Sequence, residues 1–439
     1  MERHSKLGYQ RRRRLCRAQP FVIAETPCGA SSGGVSPGLM MADIICKTTK
    51  EGAYEMATKT TTKKSKTEEA VSKTASRLAE MFLDRISEID ENGERQIIKD
   101  PKILGDWAKP WTRRGSQAPH NPFTGSGYWG GNAALLMFAA FEQDHACYGT
   151  FNNWRKLTTE VKNKDGEVTK PGVVVSVKKG ESAWQGIHWK QSYVCAQGCR
   201  GFKKTRAEIT AACGHDARLI WTGQNFSVFG YWQVEITPTG GEARPIEPGT
   251  DFDFHPDYMP GEIAEPPKAP EVKEHFLKTG ATFTEGITGA YYTPATDTVN
   301  VPPADMFKSL STYASTMAHE FIHWTGSPDR LGACTGSGCK KCEKGFYHRR
   351  LTMEKKGYAA EELVAEIGAC ILVSDFGIDH TPLENEGAES NHGAYILGWM
   401  QPLLNAVQNA DGERIIWDAT QAADKAARFI TDLTGPFDS

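Results

Sequence analysis

At 439 residues, 39% hydrophobic and 24% charged, the chain has the composition of a globular protein of two or three domains, each with its own core. No apolar run reaches the roughly eighteen residues of a membrane span, and the basic start MERHSKLGYQRRRRLCR has no long apolar segment behind it, so neither a membrane protein nor an exported one is expected. The eleven cysteines, an odd number, then read as reduced thiols and metal ligands of a cytoplasmic protein rather than as disulfides.

Net charge is only −3, but it divides into +7 over residues 1–75, +4 over 76–240 and −14 over 241–439. A polyanion would therefore meet the front of the chain. Residues 1–73 hold four consecutive arginines, then GASSGGVSPG and ATKTTTKKSKTEE, and read as a disordered basic segment: a solvated tail or a nucleic-acid-binding arm.

A mixed α/β domain is expected over 74–238. ASRLAEMFLDRISEI spaces Leu78, Phe82, Ile86 and Ile89 as one face of a helix, and GGNAALLMFAAFEQ reads as a second, more buried helix. GVVVSVKKGESAWQGIHWKQSYV alternates β-branched and aromatic residues about a Lys-Lys-Gly-Glu turn, which predicts a hairpin; SVFGYWQVEI predicts another strand. Eight of the eleven tryptophans lie between 76 and 240, interleaved with Lys109, Arg113, Arg114, Arg155, Lys156, Lys178 and Lys179. Single-stranded nucleic acid is held by bases stacked on aromatics and phosphates paired with cations, although several of these tryptophans must be core. Trp107 and Trp111 flank a proline beside two arginines, which favours a surface loop. Lys178 and Lys179 sit at the expected turn, where they meet phosphate or simply solubilise.

Two cysteine clusters stand apart. Cys195, Cys199, Cys213 and His215 give C-x3-C followed by C-x-H around a basic loop, a four-ligand pattern for structural zinc. Cys334, Cys339 and Cys342 with His348 form a second candidate in a short glycine-rich loop. Unlinked reduced thiols are the alternative for both.

A linker over 239–270 carries seven prolines, and part of it is open to wrapping one domain onto the other. The last block, 271–439, is expected to be mostly helical: an opening helix, the strand-rich GAYYTPATDTVNV, helices near 312–324, 358–376 and 392–407, and a terminal one in TQAADKAARFITDL. In TMAHEFIHWTG the four-residue spacing puts His319 and His323 on one helix face, able to bind one zinc ion, with Glu320 beside it as general base and then acid. Two satisfied histidines on a half-buried helix are the alternative, but the apolar Met317, Phe321 and Ile322 make such a pair expensive. No His-x-x-Gly-x-x-His continuation follows. The third ligand is sought in YAAEELVAEIGACIL, where Glu362 and Glu366 lie one turn apart among Leu363, Val364, Ile367 and Ile371. Glu362 is assigned as ligand and Glu366 as its supporting carboxylate, with the reverse also open; Glu361 reads as solvated. His392 and Tyr395, three apart in SNHGAYILGWM, either stabilise an oxyanion or position substrate, or only pack and cap a helix.

These stretches in order, with NHGAYILGWMQPL and AADKAARFITDL, resemble the C-terminal half of ArdC-type antirestriction proteins, a zincin-like metallopeptidase domain. The family's front-domain motifs are present as WAKPW (Trp107, Lys109, Pro110, Trp111), YWGGN (Tyr128, Gly130, Asn132) and VKKGE (Val177, Lys179, Gly180, Glu181). The likeness spans residues 74–433. It implies an α+β protein of two domains, binding single-stranded DNA in front and holding catalytic zinc behind, which either protects incoming DNA from restriction or attacks protein bound to DNA. Trp107, Lys109, Trp111, Tyr128, Asn132, Lys178 and Lys179 become the implied DNA contacts, and the setting a mobile genetic element. The segments around Cys195–Cys213 and Cys334–His348 look like insertions; the second places Glu362 39 positions after His323, longer than usual. Two competing classes are a non-catalytic DNA-binding antirestriction protein with the zincin domain as scaffold, and a primase accessory factor.

Overall fold

The first described element is a helix, α1 (Lys66–Ile86), whose apolar face of Val71, Ala75, Leu78, Phe82 and Ile86 is buried throughout. Glu68 and Glu69 in its first turn and Arg85 in its last complement the helix dipole. It begins inside the segment expected to be disordered, because Val71 extends the apolar stripe by a turn. The computed structural model describes residues 66–437 apart from 99–110, 112–114, 200–204, 261–266, 287–288, 328, 333–354, 379–399, 402, 406 and 409–412; all of these belong to one compact unit, Thr62–Ser439.

The second expected helix is α2 (Gly130–Ala139), nearly all apolar and buried, as its sequence requires. Helix α3 (Phe151–Arg155) is short and capped by Thr150. The strands do not pair as expected. Val173–Val177 (β1) lies antiparallel to Val234–Pro238, and Trp184–Cys195 (β2) to Ala217–Gly230 (β3), so the residues around the Lys-Lys-Gly-Glu turn belong to two different sheets. Gln233 accounts for the handover. Its buried side chain donates to Glu181 Oε2 and to the Ser182 carbonyl and accepts from Gly230 N–H, while Lys178 N–H reaches the Gln233 carbonyl. β2 and β3 form a long two-stranded ribbon, with Trp184 opposite Val228 at one end and Cys195 opposite Ala217 at the other. Helix α4 (Arg206–Cys213) sits between these strands in sequence and packs on both.

The expected linker is built into the front of the molecule. Ile246 and Phe252 are buried with Cys147, Trp154 and Val175, and Tyr258 stacks on His120 at 4.3 Å. Behind it lie α5 (Ala269–Leu277) and a three-stranded sheet in which Thr282–Thr284 runs parallel and Tyr291–Thr293 antiparallel to Thr298–Asn300. Helices α6 (Leu310–Thr325), α7 (Lys355–Asp375) and α8 (Glu413–Thr434) complete the described fold, an α+β arrangement. Gly368 on α7 lets α6 approach closely: a Cβ there would meet Ile322 Cδ1 at 2.6 Å.

One hydrophobic core takes Leu78 and Phe82 from α1, Leu135 and Phe138 from α2, Phe321 from α6, Leu363 and Ile367 from α7, and Trp417 and Ile430 from α8. The front helices and the rear helices thus bury against each other. Among the described residues no helix is long and apolar enough to cross a membrane.

Candidate metal centre

Helix α6 starts at Ser309, whose hydroxyl accepts from Thr312 N–H, and runs unbroken through His319, Glu320 and His323. Its buried side carries Met317, Ala318, Phe321 and Ile322, which lock the helix and hence the imidazoles against α7. On α7 the carboxylates of Glu362 and Glu366 are 3% and 4% exposed, between apolar neighbours at zero.

The side chains converge. His319 Nε2 and His323 Nε2 are 3.0 Å apart, and the two oxygens of Glu362 lie 3.4 Å from the first and 3.7 Å from the second. A tetrahedral zinc site with bonds of about 2.0–2.2 Å sets neighbouring donors about 3.3–3.6 Å apart. Three ligand atoms from His319, His323 and Glu362 fall within 4.8 Å of one another, so this donor set fits the ion. Glu366 Oε1 faces His319 Nδ1 at 3.2 Å, on the opposite edge of the ring. Glu362 thus lies toward the shared centre and Glu366 behind a histidine.

Glu361 departs from expectation. Rather than standing in solvent, it is largely buried, with Oε1 3.2 Å from His323 Nδ1. Each histidine thus has a carboxylate holding its outer nitrogen, the arrangement that fixes tautomer and ring orientation in metal sites. Adjacent positions on a helix project about 100° apart, so Glu361 and Glu362 can reach the two edges of one imidazole.

Electrostatics shows a cluster organised around positive charge. Burial alone would depress both histidines, but Glu366 and Glu362 hold His319 well above 6.5, and Glu361 with Glu362 lifts His323 to about 9. Against its own burial, Glu362 is held below the usual carboxylate range by the two imidazoles. Burial pushes Glu320 and Glu361 up. Protons on the rings balance these carboxylates; a divalent cation supplies the same charge in their place. Beside the cluster, Arg330 forks onto Asp297, lies over the Trp324 ring at 4.0 Å and donates to the Trp324 carbonyl, tying the end of α6 to the strand pair next to it.

A second group assembles at the far end of the ribbon, where Cys195, Cys199, Cys213 and His215 bring one ligand atom each within 4.8 Å of the others. His392, Tyr395, Cys334, Cys339, Cys342, His348, Trp107 and Lys109 lie outside the described residues.

Of the other expected DNA contacts, Trp111 is a core residue, 1% exposed with its ring edge-on to Phe138 at 5.3 Å, not part of a surface loop. Its arginine neighbours misled, because a single buried indole does not require its flanks to be apolar. Tyr128 stacks on Phe226, and burial pushes its hydroxyl up to about 12. Asn132 is engaged in two hydrogen bonds with the Ile187 backbone, fastening α2 to β2. Lys178 Nζ donates to the Trp232 carbonyl at 2.7 Å, and Lys179 is exposed. Two aromatics that sequence reasoning did not single out are presented to solvent on the ribbon: Trp189, 39% exposed, and Trp221, 57%. Trp189 faces Gly223 and Trp221 faces Gln191, so both project from one face on neighbouring like-facing rungs. Lys190 and Arg218 are exposed on the same ribbon. The signal was available in HWKQ and WTGQ, where each tryptophan stands among polar residues in a strand.

Residues 270–419 match the family model of the zincin-like metallopeptidases, and residues 87–229 that of the N-terminal domain of anti-restriction factor ArdC. The chain is thus a protein with a zincin-like metallopeptidase domain placed behind an ArdC N-terminal domain. Its front domain resembles that of the ArdC-type antirestriction proteins. Two DNA primases TraC of Escherichia coli are each 28% identical over 323 residues, covering 72% and 70% of this chain. The chain spans only 25% and 18% of their lengths. Uncharacterized protein y4eC of Sinorhizobium fredii (strain NBRC 101917 / NGR234) is 23% identical over 352 residues, 78% of this chain and 92% of that protein. Among solved structures, the metal-free antirestriction protein ArdC from the R388 plasmid aligns with a TM-score of 0.49 at 22% identity, and its Mn(II)-bound form with 0.47 at 23%. Both alignments cover 83% of this chain and 99% of the other.

Proposed function

We propose that this chain binds single-stranded DNA through its front domain and hydrolyses peptide bonds of DNA-associated protein at a zinc centre held by His319, His323 and Glu362. The observation that carries this reading is the convergence of those three donors, with Glu320 buried next to them on the same helix. The setting is the one its family's name indicates, protection of incoming mobile-element DNA in the cytoplasm.

Bound between these donors, zinc would supply Lewis acidity, polarising a carbonyl and acidifying a water. The chain's own residues do the rest. Glu366 and Glu361 hold the outer nitrogens of His319 and His323, so that both Nε2 atoms stay aimed at the centre. The Glu320 carboxylate takes a proton from the attacking water and delivers it to the amide nitrogen as the peptide bond breaks. Its burial raises its proton affinity toward the range in which one carboxyl group serves as base and then acid. His392 and Tyr395 are assigned to oxyanion stabilisation or substrate positioning on the sequence alone. On the ribbon, Trp189 and Trp221 offer two ring faces to unstacked bases.

The test compares wild type with Glu320→Gln in metal content and in cleavage of a DNA-bound protein, with and without single-stranded DNA. Glu320→Gln is expected to keep the metal and lose about 10²–10⁴-fold in cleavage rate. Equal cleavage by the two proteins would sink the mechanism. Absence of cleavage in both, with DNA binding intact, would leave the zincin domain as a scaffold.

A further inference from the structure

The ribbon end raises a problem of stability that its own packing does not solve. The chain leaves β2 at Cys195, passes through α4 and re-enters β3 at Ala217. Among the described residues, Cys195, Ile209 and Ala217 form a small buried cluster there, with Tyr193 and Cys213 against it. So small an apolar contact contributes little against the entropy of ordering a strand end and the short helix α4.

What converges at this end is a set of metal donors. Cys195 ends the ladder opposite Ala217, and Ala196 N–H is bonded to the Asp216 carbonyl, so the two strand ends are held together up to the last rung. Gly198, with φ +84°, reverses the chain between Cys195 and Cys199. Thr205 and Glu208 form a capping box that starts α4, which delivers Cys213 from its last turn. Gly214 then ends that helix in the left-handed region, φ +70°, and returns His215 toward the thiols. The result places His215 Nδ1 3.5 Å from Cys195 Sγ and 3.3 Å from Cys199 Sγ. Tetrahedral zinc with bonds of about 2.3 Å to sulfur and 2.0–2.1 Å to nitrogen sets such atoms about 3.5–3.6 Å apart.

We propose that Cys195, Cys199, Cys213 and His215 bind a structural zinc ion that closes the distal end of the ribbon. Three thiolates and an imidazole select zinc over the hard cations, and four protein ligands leave no open position, so the ion cross-links rather than catalyses. The metal adds a cross-link to the small apolar cluster. It fixes the last rungs of the β2–β3 ladder and, through them, the strands that carry Trp189 and Trp221. This assignment does not depend on the HExxH site, which contains no sulfur.

That difference supplies the test. Full-length protein is purified under reducing conditions, loaded with cobalt(II) and examined for the thiolate-to-cobalt charge-transfer absorption, alongside zinc content by mass spectrometry. Wild type and His323→Ala are expected to show the absorption; Cys199→Ser and His215→Gln are expected to lose it together with one zinc equivalent, while retaining the far-ultraviolet circular dichroism of the folded chain. Because Cys199 is exposed, its substitution leaves the packed core untouched. Limited proteolysis should then cut the Cys199→Ser protein within residues 196–216 at zinc concentrations that protect the wild type. Absence of the absorption in folded, reduced wild type would overturn the proposal. So would its full retention in Cys199→Ser, or a disulfide among the three cysteines in protein prepared without oxidant.

Discussion

His323 Nδ1 is held at 3.2 Å by Glu361 Oε1, on the edge of the imidazole opposite the one that meets Glu362. Two consecutive residues of α7 therefore govern both nitrogens of one histidine. Replacing Glu361 with alanine is expected to leave the fold intact and weaken metal retention about 10–100-fold, the usual effect of deleting a carboxylate behind a ligating histidine. Glu366→Ala should do the same through His319. Titration against a competing chromogenic chelator measures both, and an affinity equal to wild type would show that these carboxylates do not orient the rings.

The tryptophans of the front domain divide into two kinds. Trp189→Ala and Trp221→Ala should each weaken single-strand binding by about 1–3 kcal/mol, the range for one base–aromatic stack, with little change in thermal stability. Trp111→Ala should instead cost about 3–5 kcal/mol of stability, because it leaves a cavity against Phe138. Fluorescence anisotropy with a labelled oligonucleotide, paired with denaturant unfolding, separates the two. A reversal of the pattern would move the DNA-binding face off the ribbon.

Gly368 controls the distance between the helices that carry the candidate metal ligands. Gly368→Ala pushes a methyl group into Ile322 and should destabilise the protein by about 1–3 kcal/mol. A second substitution, Ile322→Ala, relieves the clash, so the double mutant should lose less than the two single losses added together. Additive losses in denaturant unfolding would mean that the two positions are not in contact.

Cys147 is enclosed, and burial pushes its thiol up to about 12. At pH 8 only about one molecule in ten thousand then carries the reactive thiolate. Native protein should resist iodoacetamide at Cys147 and at the equally buried Cys370, and both should alkylate once the chain is unfolded. Peptide mass spectrometry reads the two states directly.

How much of this was legible in sequence depended on how local the cause was. The His319–Glu320–His323 pattern is contained within a little over one helical turn. Glu362 and Glu366 stood out because carboxylates among Leu363, Val364 and Ile367 need a reason to be there. Glu361 escaped because its partner, His323, belongs to another helix. Strand identity in 173–195 was readable from alternation, but strand partnership was not. It is set by Gln233, far along the chain, whose side chain holds the turn away from a hairpin. The prolines of 239–270 suggested a tether, while Ile246 and Phe252 show that a few apolar residues suffice to fold such a stretch onto a neighbouring surface.

Gly131 on α2 lies against Trp417 on α8, where a Cβ would meet Trp417 Cε3 at 2.3 Å. A contact this close ties the fates of positions nearly three hundred residues apart. Splicing the rear half of one relative onto the front half of another would leave each helix facing a surface it was not shaped for, and would demand compensating changes on both sides. Such a hybrid is expected to fold less stably than either parent.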